Sequence, residues 1–136
     1  MKRSIIALAI IGTIVNANPY TQQDRILDMQ TMALAMQDIQ NGFFYNNYDM
    51  IKEGSAKLAD TIVKVVPPLE EIEEKDVMTR YTNNKVQITN RVRKKIKKKT
   101  QDILERFKAG DTIQAIQAYT KITKECMACH TQLRKW

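Results

Sequence analysis

The feature that most constrains this chain is a five-residue stretch near its C-terminus, Cys126-Met127-Ala128-Cys129-His130. Two cysteines separated by two residues, followed directly by a histidine, have the spacing at which two thiols add to the vinyl groups of a haem while the adjacent imidazole reaches the iron. The protein has two cysteines and one histidine, and all three lie in this stretch. We therefore interpret it as a covalent haem c attachment site, with His130 as the proximal ligand.

Other kinds of site also use a Cys-x-x-Cys pair. A thioredoxin-like redox motif requires a βαβ context, and the surrounding sequence shows no such pattern. A structural zinc site requires about four ligands, whereas Cys126, Cys129 and His130 are the only cysteines and histidine in the chain. A structural disulfide stays an alternative in an exported protein. We favour haem attachment over all three.

The N-terminal segment has the features of a secretory signal peptide, which we place at residues 1–17. Lys2 and Arg3 supply the positive start, and a short apolar run follows at residues 5–15. This run is shorter than the roughly 20 residues that a membrane-spanning helix needs. We therefore predict a periplasmic protein without a transmembrane anchor after processing. Residues 18–136 have the length of one domain with one core.

The mature sequence predicts four helices. Glycine and proline are scarce, with four and three residues, and apolar residues recur every three or four positions in four segments. The segments run from Thr21 to about Gly42, from Asn46 or Asn47 to the proline pair at residues 67–68, from between Asp76 and Asn83 to about Lys108, and from Asp111 into the haem motif. Short connections between such helices favour an antiparallel four-helix bundle. The predicted fold class is therefore all-α, with covalent haem near the C-terminus.

The same spacing predicts which residues face the core. They are Ile26, Met29, Met32 or Ala33, Met36, Ile39 and Phe43 in the first helix, Ile51, Leu58, Ile62 and Val65 in the second, Ile88, Val92, Ile96, Ile103 and Phe107 in the third, and Ile113, Ile116, Tyr119, Ile122 or Thr123 and Cys126 in the fourth. Each set lies along one side of a helix.

The third predicted helix is strongly basic on its outer side. Its cations are interleaved with the apolar stripe, and they are Arg91, Arg93, Lys94, Lys95, Lys97, Lys98 and Lys99. Such a face is most simply a solvated one. The same charge also favours docking to an acidic redox partner protein or to anionic headgroups. We expect no nucleic-acid partner, because an exported protein does not normally meet nucleic acid.

A haem motif at the end of the last helix of a four-helix bundle resembles the cytochrome c prime family, also called class II c-type cytochromes. Arg134 stands four residues after His130, where that family usually has a basic residue, and Leu133 stands where it often has an aromatic one. Arg25, followed four residues later by Met29, resembles the family's arginine and distal haem-facing residue. The resemblance implies that Arg25 approaches a haem propionate, and it allows a homodimer formed through the first two helices.

Two functions are open for such a haem. A side chain in the sixth coordination position of the iron makes the protein an electron carrier, whereas a vacant position lets it bind nitric oxide or carbon monoxide. Because the chain has no second histidine, methionine is the ligand to consider, and Met29, Met32 and Met36 share one face of the first helix. We expect Met29 as the ligand, with Met32 second and core packing as the alternative role. We do not expect an enzyme, because peroxidase-type chemistry requires a distal acid–base group.

Overall fold

Within the residues that the structure describes, the protein forms four α-helices. The computed structural model describes residues 20–66, 76–78 and 84–133, and these ranges contain no strand. The helices are α1 (Gln22–Phe44), α2 (Tyr48–Ile62), α3 (Asn84–Lys108) and α4 (Thr112–Leu133). The predicted all-α, four-helix fold is therefore confirmed. The predicted signal peptide at residues 1–17, the proline pair at residues 67–68 and Arg134 lie outside the described residues.

Local capping signals explain where the helices begin. The Thr21 hydroxyl accepts a hydrogen bond from the Asp24 amide at 3.1 Å, and the Asp24 carboxylate accepts one from the Thr21 amide at 2.8 Å, which forms the predicted capping box. The Asn47 side chain accepts from the Met50 amide at 3.1 Å and begins α2. Asp111 likewise accepts from the amide of Gln114, at 3.2 Å, at the start of α4. These side chains satisfy amides that have no partner within their helix.

Two predicted helix ends differ from the structure. α1 continues two residues past Gly42 to Phe44, and Gly42 is a buried helical residue rather than the residue that ends the helix. A Cβ atom at Gly42 would lie 2.5 Å from Cγ1 of Ile51, so glycine serves close packing against α2 here. α2 ends at Ile62, several residues before the proline pair, and a short turn follows it.

Helices that are neighbours in the sequence pack together in space, namely α1 with α2, α2 with α3, and α3 with α4. The core between them consists of Met32, Ala35, Ile39, Ile51, Leu58, Ile62, Val65, Val92, Ile96, Ile103, Ala115, Ala118 and Ile122. This set confirms the predicted inner face of α2 and, with Ile88 and Phe107 partly buried against it, that of α3. Within the described part of the chain, α1 and α4 do not pack closely along their length. They leave a space between them.

The predicted inner face of α4 is wrong at the start of the helix and confirmed further along, where Ile122 is buried and Tyr119 and Cys126 pack against the core. Ile113 and Ile116 are 67% and 40% exposed, whereas Ala115 and Ala118 are buried and lead to Ile122. The helical period was correct, but small alanines face the core because they let α4 approach its neighbours closely. In α1, the predicted inward residue Ile26 is also 45% exposed.

None of the helices in the described ranges is both long enough and apolar enough to cross a bilayer.

Candidate functional site

A cavity of about 330 Å³ lies in the space between α1 and α4. Its lining is mostly apolar and consists of Met29, Met32, Ala33, Met36, Ile62, Val65, Thr89, Val92, Arg93, Ile96, Tyr119, Thr123, Cys126, Met127, Cys129 and His130. The volume falls in the range of about 300–1,000 Å³ that is usual for small-molecule and cofactor sites. We call this cavity the methionine pocket.

The last turns of α4 bring the predicted attachment residues to one wall of the methionine pocket. Residues three and four apart share a face of an α-helix, so Cys126, Cys129 and His130 all point to the same side. All three are half-buried, and the two cysteines pack against the core cluster. Both cysteines are thiols rather than a disulfide. The structure therefore brings together the three residues that the sequence singled out.

The environment of Cys126 keeps its thiol protonated. Burial raises the pKa of this thiol from 9.0 to about 11, and the neighbouring Cys129 adds to the rise. Burial also raises the pKa of Tyr119, whose ring lies beside Cys126. The inner part of this wall is therefore uncharged near neutral pH.

The opposite wall of the methionine pocket carries the three methionines of α1. Met32 is only 7% exposed and belongs to the core, whereas Met29 and Met36 are half-buried and pack against it. All three line the pocket. They therefore face the Cys-x-x-Cys-His motif of α4 across the cavity.

Aromatic packing sets the level of α1 relative to α4. The ring of Phe43 meets the ring of Tyr119 edge-on, with centroids 5.8 Å apart. His130 lies as many residues beyond Tyr119 on α4 as Met32 lies before Phe43 on α1. With a rise of about 1.5 Å per residue, Met32 lies level with His130 and Met29 is displaced by roughly 4.5 Å along the bundle. Both methionines line the same pocket as His130.

The two arginines near this end of the bundle have different places. Arg25 is half-buried in the first turn of α1, beside Tyr20, and lies outside the lining of the methionine pocket. Arg93 of α3 is half-buried and lines the pocket. Sequence reasoning grouped Arg93 with the outer basic face. The signal that could have found it is its spacing from Thr89 and Ile96, which places it on the inner stripe of α3.

The far end of the space between α1 and α4 is closed by aromatic rings. Phe43 contacts Phe107 of α3 at a centroid distance of 5.7 Å as well as Tyr119, and Tyr48 stacks on Phe107 at 6.5 Å. Tyr119 belongs both to this cluster and to the pocket lining. The cluster therefore holds α1 and α4 together just beyond the methionine pocket.

Comparison with known proteins does not identify a family for this chain. No family model matches the sequence, and neither the curated proteins nor the solved structures include a match. No group of three or more His, Cys, Asp or Glu side chains within the described ranges is placed to hold a metal ion directly. The resemblance to class II c-type cytochromes stays a prediction that rests on the motif at the end of α4 and on the four-helix architecture.

Proposed function

We propose that the protein is an exported monohaem c-type cytochrome that acts as an electron carrier. Cys126 and Cys129 attach the haem covalently, and His130 is its proximal ligand. The observation that carries the proposal is the methionine pocket, in which the attachment motif on α4 faces Met29 and Met32 on α1. When bound, haem supplies an iron that takes up and releases one electron.

The donor set and the cavity fit a haem. The two thiols are one helical turn apart on a wall that leads into an apolar space, and the imidazole follows on the same face. α1 and α4 do not pack closely along their length within the described residues, which leaves the methionine pocket between them for a flat ring. The methionine side chains are unbranched and adapt to the shape of what they contact. Burial of a large apolar group would add to a modest core.

The residues of this chain have separate roles in the proposal. The imidazole of His130 on α4 and a thioether of α1 would hold the iron. We assign that thioether to Met29, with Met32 as the competing candidate. A thioether ligand favours the reduced iron and raises the reduction potential, which suits electron transfer. The apolar lining keeps water away from the bound group.

Covalent attachment tests the proposal directly. The exported protein, produced with a working cytochrome maturation system, should retain its haem during acid–acetone extraction. Replacement of Cys126 or Cys129 with alanine should weaken or abolish the attachment, because each thiol forms one of the two thioether bonds. A colourless mature protein with both cysteines intact would contradict the proposal.

The sixth ligand is tested by separate substitutions in α1. Met29→Ala should convert a low-spin protein that does not bind carbon monoxide into a high-spin protein that does, as measured by absorption of the reduced form. Met50→Ala is the matched control, because Met50 is a half-buried methionine of α2 that lies outside the pocket lining. If Met32→Ala produces the conversion and Met29→Ala does not, the thioether belongs to Met32.

Gas binding is the second candidate function, and one observation favours it. Met32 lies level with His130 but is already buried in the core cluster, and Met29 packs against that cluster. If both methionines serve only as core residues, the sixth coordination position is vacant and its surroundings are apolar, which suits small neutral gases. A parent protein that is high-spin when reduced and binds carbon monoxide rapidly would give this function precedence.

The basic outer face of α3 supports the proposal that the partner is an acidic protein. Two of its lysines are engaged, because Lys95 contacts Glu125 at 2.6 Å and Lys99 contacts Asp102 at 2.5 Å. The remaining exposed cations are Arg91, Lys94, Lys97 and Lys98. Clustered charge of one sign speeds encounter with an oppositely charged partner and makes the rate sensitive to salt.

A further inference from the structure

We propose that Arg93 of α3 binds a carboxylate of the haem, and that it thereby orients the carboxylate edge of the haem toward α3. This inference rests on the proposed function, because it concerns the same pocket and the same cofactor. It assigns to Arg93 a positioning role that the sequence resemblance gave to Arg25.

Charge is the first observation behind this assignment. Arg93 is the only permanently charged side chain among the described residues that line the methionine pocket. A guanidinium stays protonated under all ordinary conditions, and a charge that is partly withdrawn from water requires hydrogen-bonding partners. Haem is an apolar ring with two carboxylates at one edge. The methionine pocket is complementary to such a group, because its lining is mostly apolar and contains one cation.

The hydrogen bonding of Arg93 is the second observation. One guanidinium nitrogen, Nη2, donates to the backbone oxygen of Val63, the residue that caps the C-terminal end of α2. This bond holds the guanidinium at one place between α2 and α3. It uses one of five N–H donors, so a carboxylate can still be bound through two parallel hydrogen bonds. Within the described ranges, no carboxylate makes an ion pair with Arg93.

The position of Arg93 along α3 is the third observation. It lies on the same face as Thr89 and Ile96, which also line the methionine pocket. Arg91, two residues away, is exposed and lines a different surface depression with Ile88. The two arginines therefore have the same charge on the same helix but different relations to the pocket.

The experiment compares Arg93→Gln with Arg91→Gln in the purified holoprotein and measures the reduction potential as a function of pH. An adjacent cation lowers the pKa of a carboxylate by about 1–3 units. Reduction of the iron raises the pKa of a nearby carboxylate. The reduction potential therefore falls as pH rises through the window between the pKa of the carboxylate in the oxidised protein and its pKa in the reduced protein. Loss of Arg93 should therefore move this window to higher pH by about 1 unit or more, whereas Arg91→Gln should leave it where the parent has it.

Two further variants keep the test decisive. Arg93→Met retains the apolar stem and should give the same displacement as Arg93→Gln if the latter accumulates poorly. Arg93→Lys retains the charge and should keep the window near that of the parent. If Arg93 only ties α2 to α3, the neutral variants will lower the free energy of unfolding without moving the window, and the inference is overturned.

The outcomes also separate this inference from the proposed function. A protein without covalent haem overturns both. If the protein carries haem but its reduction potential depends on pH in the same way in Arg93→Gln and Arg91→Gln, only the role of Arg93 is overturned. If Arg25→Gln moves the pH window of the reduction potential and Arg93→Gln does not, the carboxylate contact belongs to Arg25.

Discussion

Replacement of Gly54 with alanine is a sharp test of how α1 is positioned, because α1 and α2 touch at this residue. A Cβ atom at Gly54 would lie 2.8 Å from the backbone oxygen of Ala35, 2.9 Å from Cγ1 of Ile39 and 3.1 Å from the backbone nitrogen of Ile39. Favourable contact distances between carbon atoms are about 3.5–4.0 Å. Ile39 is fully buried, so its side chain cannot turn away into solvent. The backbone of α1 must therefore move.

The size of the effect follows from two opposing contributions. Alanine is favoured over glycine within a helix by about 1 kcal/mol. Overpacking of a well-packed core costs about 1–3 kcal/mol, and the upper part of this range applies because backbone atoms of Ala35 and Ile39 must be displaced. Gly54→Ala should therefore lower the free energy of unfolding by about 1–2 kcal/mol.

The assay is urea unfolding of the holoprotein followed by circular dichroism. Ala56→Gly is the control, because Ala56 is exposed on α2 and the reverse substitution there changes helix propensity alone, by about 1 kcal/mol. The displacement of α1 should also disturb the methionine pocket and produce a mixture of low-spin and high-spin haem. If Gly54→Ala instead raises the free energy of unfolding by about 1 kcal/mol, the close contact between α1 and α2 is refuted.

Three more predictions concern the cap of α1, a buried thiol and the basic face. Thr21→Ala should lower the free energy of unfolding by about 0.5–2 kcal/mol. Hydrogen bonds from Thr21 hold the pKa of Asp24 below its usual 3.8, so the part of this stabilisation that depends on the Asp24 carboxylate is present above 3.8 and should be lost in urea titrations as pH falls below it. In the apoprotein, alkylation of Cys126 should be roughly a hundredfold slower than in a peptide of the motif, because its thiol pKa is raised from 9.0 to about 11. Charge reversal at Lys97 and Lys98 should slow electron exchange with the physiological partner at low salt. Equal rates for variant and parent across a salt series would show that these lysines only keep the surface solvated.

Helix number and helix starts were predictable because their signals are local. The capping residues Thr21, Asn47 and Asp111 each act within one turn of sequence, and the apolar period of α3 directly marks its buried side. The Cys-x-x-Cys-His spacing on α4 is likewise a local pattern. It places Cys126, Cys129 and His130 on one face of any helix that contains them.

The buried side of the first two turns of α4 was not predictable from apolar residues alone. The helix carries isoleucines on two sides, and the side that is buried is the one on which Ala115 and Ala118 permit a close approach. Alanine is only weakly apolar, so its hydropathy does not mark the buried side. Its small size does, because it permits close packing, but this effect appears only when α3 is in place. The place of Arg93 in the pocket lining was hidden for a similar reason, since a cation within a basic run is normally assigned to solvent.

The position of the methionine pocket follows from how different side chains fill the space between α1 and α4. At one end, the rigid rings of Phe43, Phe107 and Tyr119 meet at distances under 6 Å and close the space. At the other end, the facing residues are unbranched methionines such as Met29 and the small thiols of the motif, and the space stays partly open. Tyr119 belongs both to the aromatic end and to the lining of the methionine pocket. A cofactor can therefore enter the methionine end while the aromatic end keeps the helices aligned, since only the flexible side chains need to adjust.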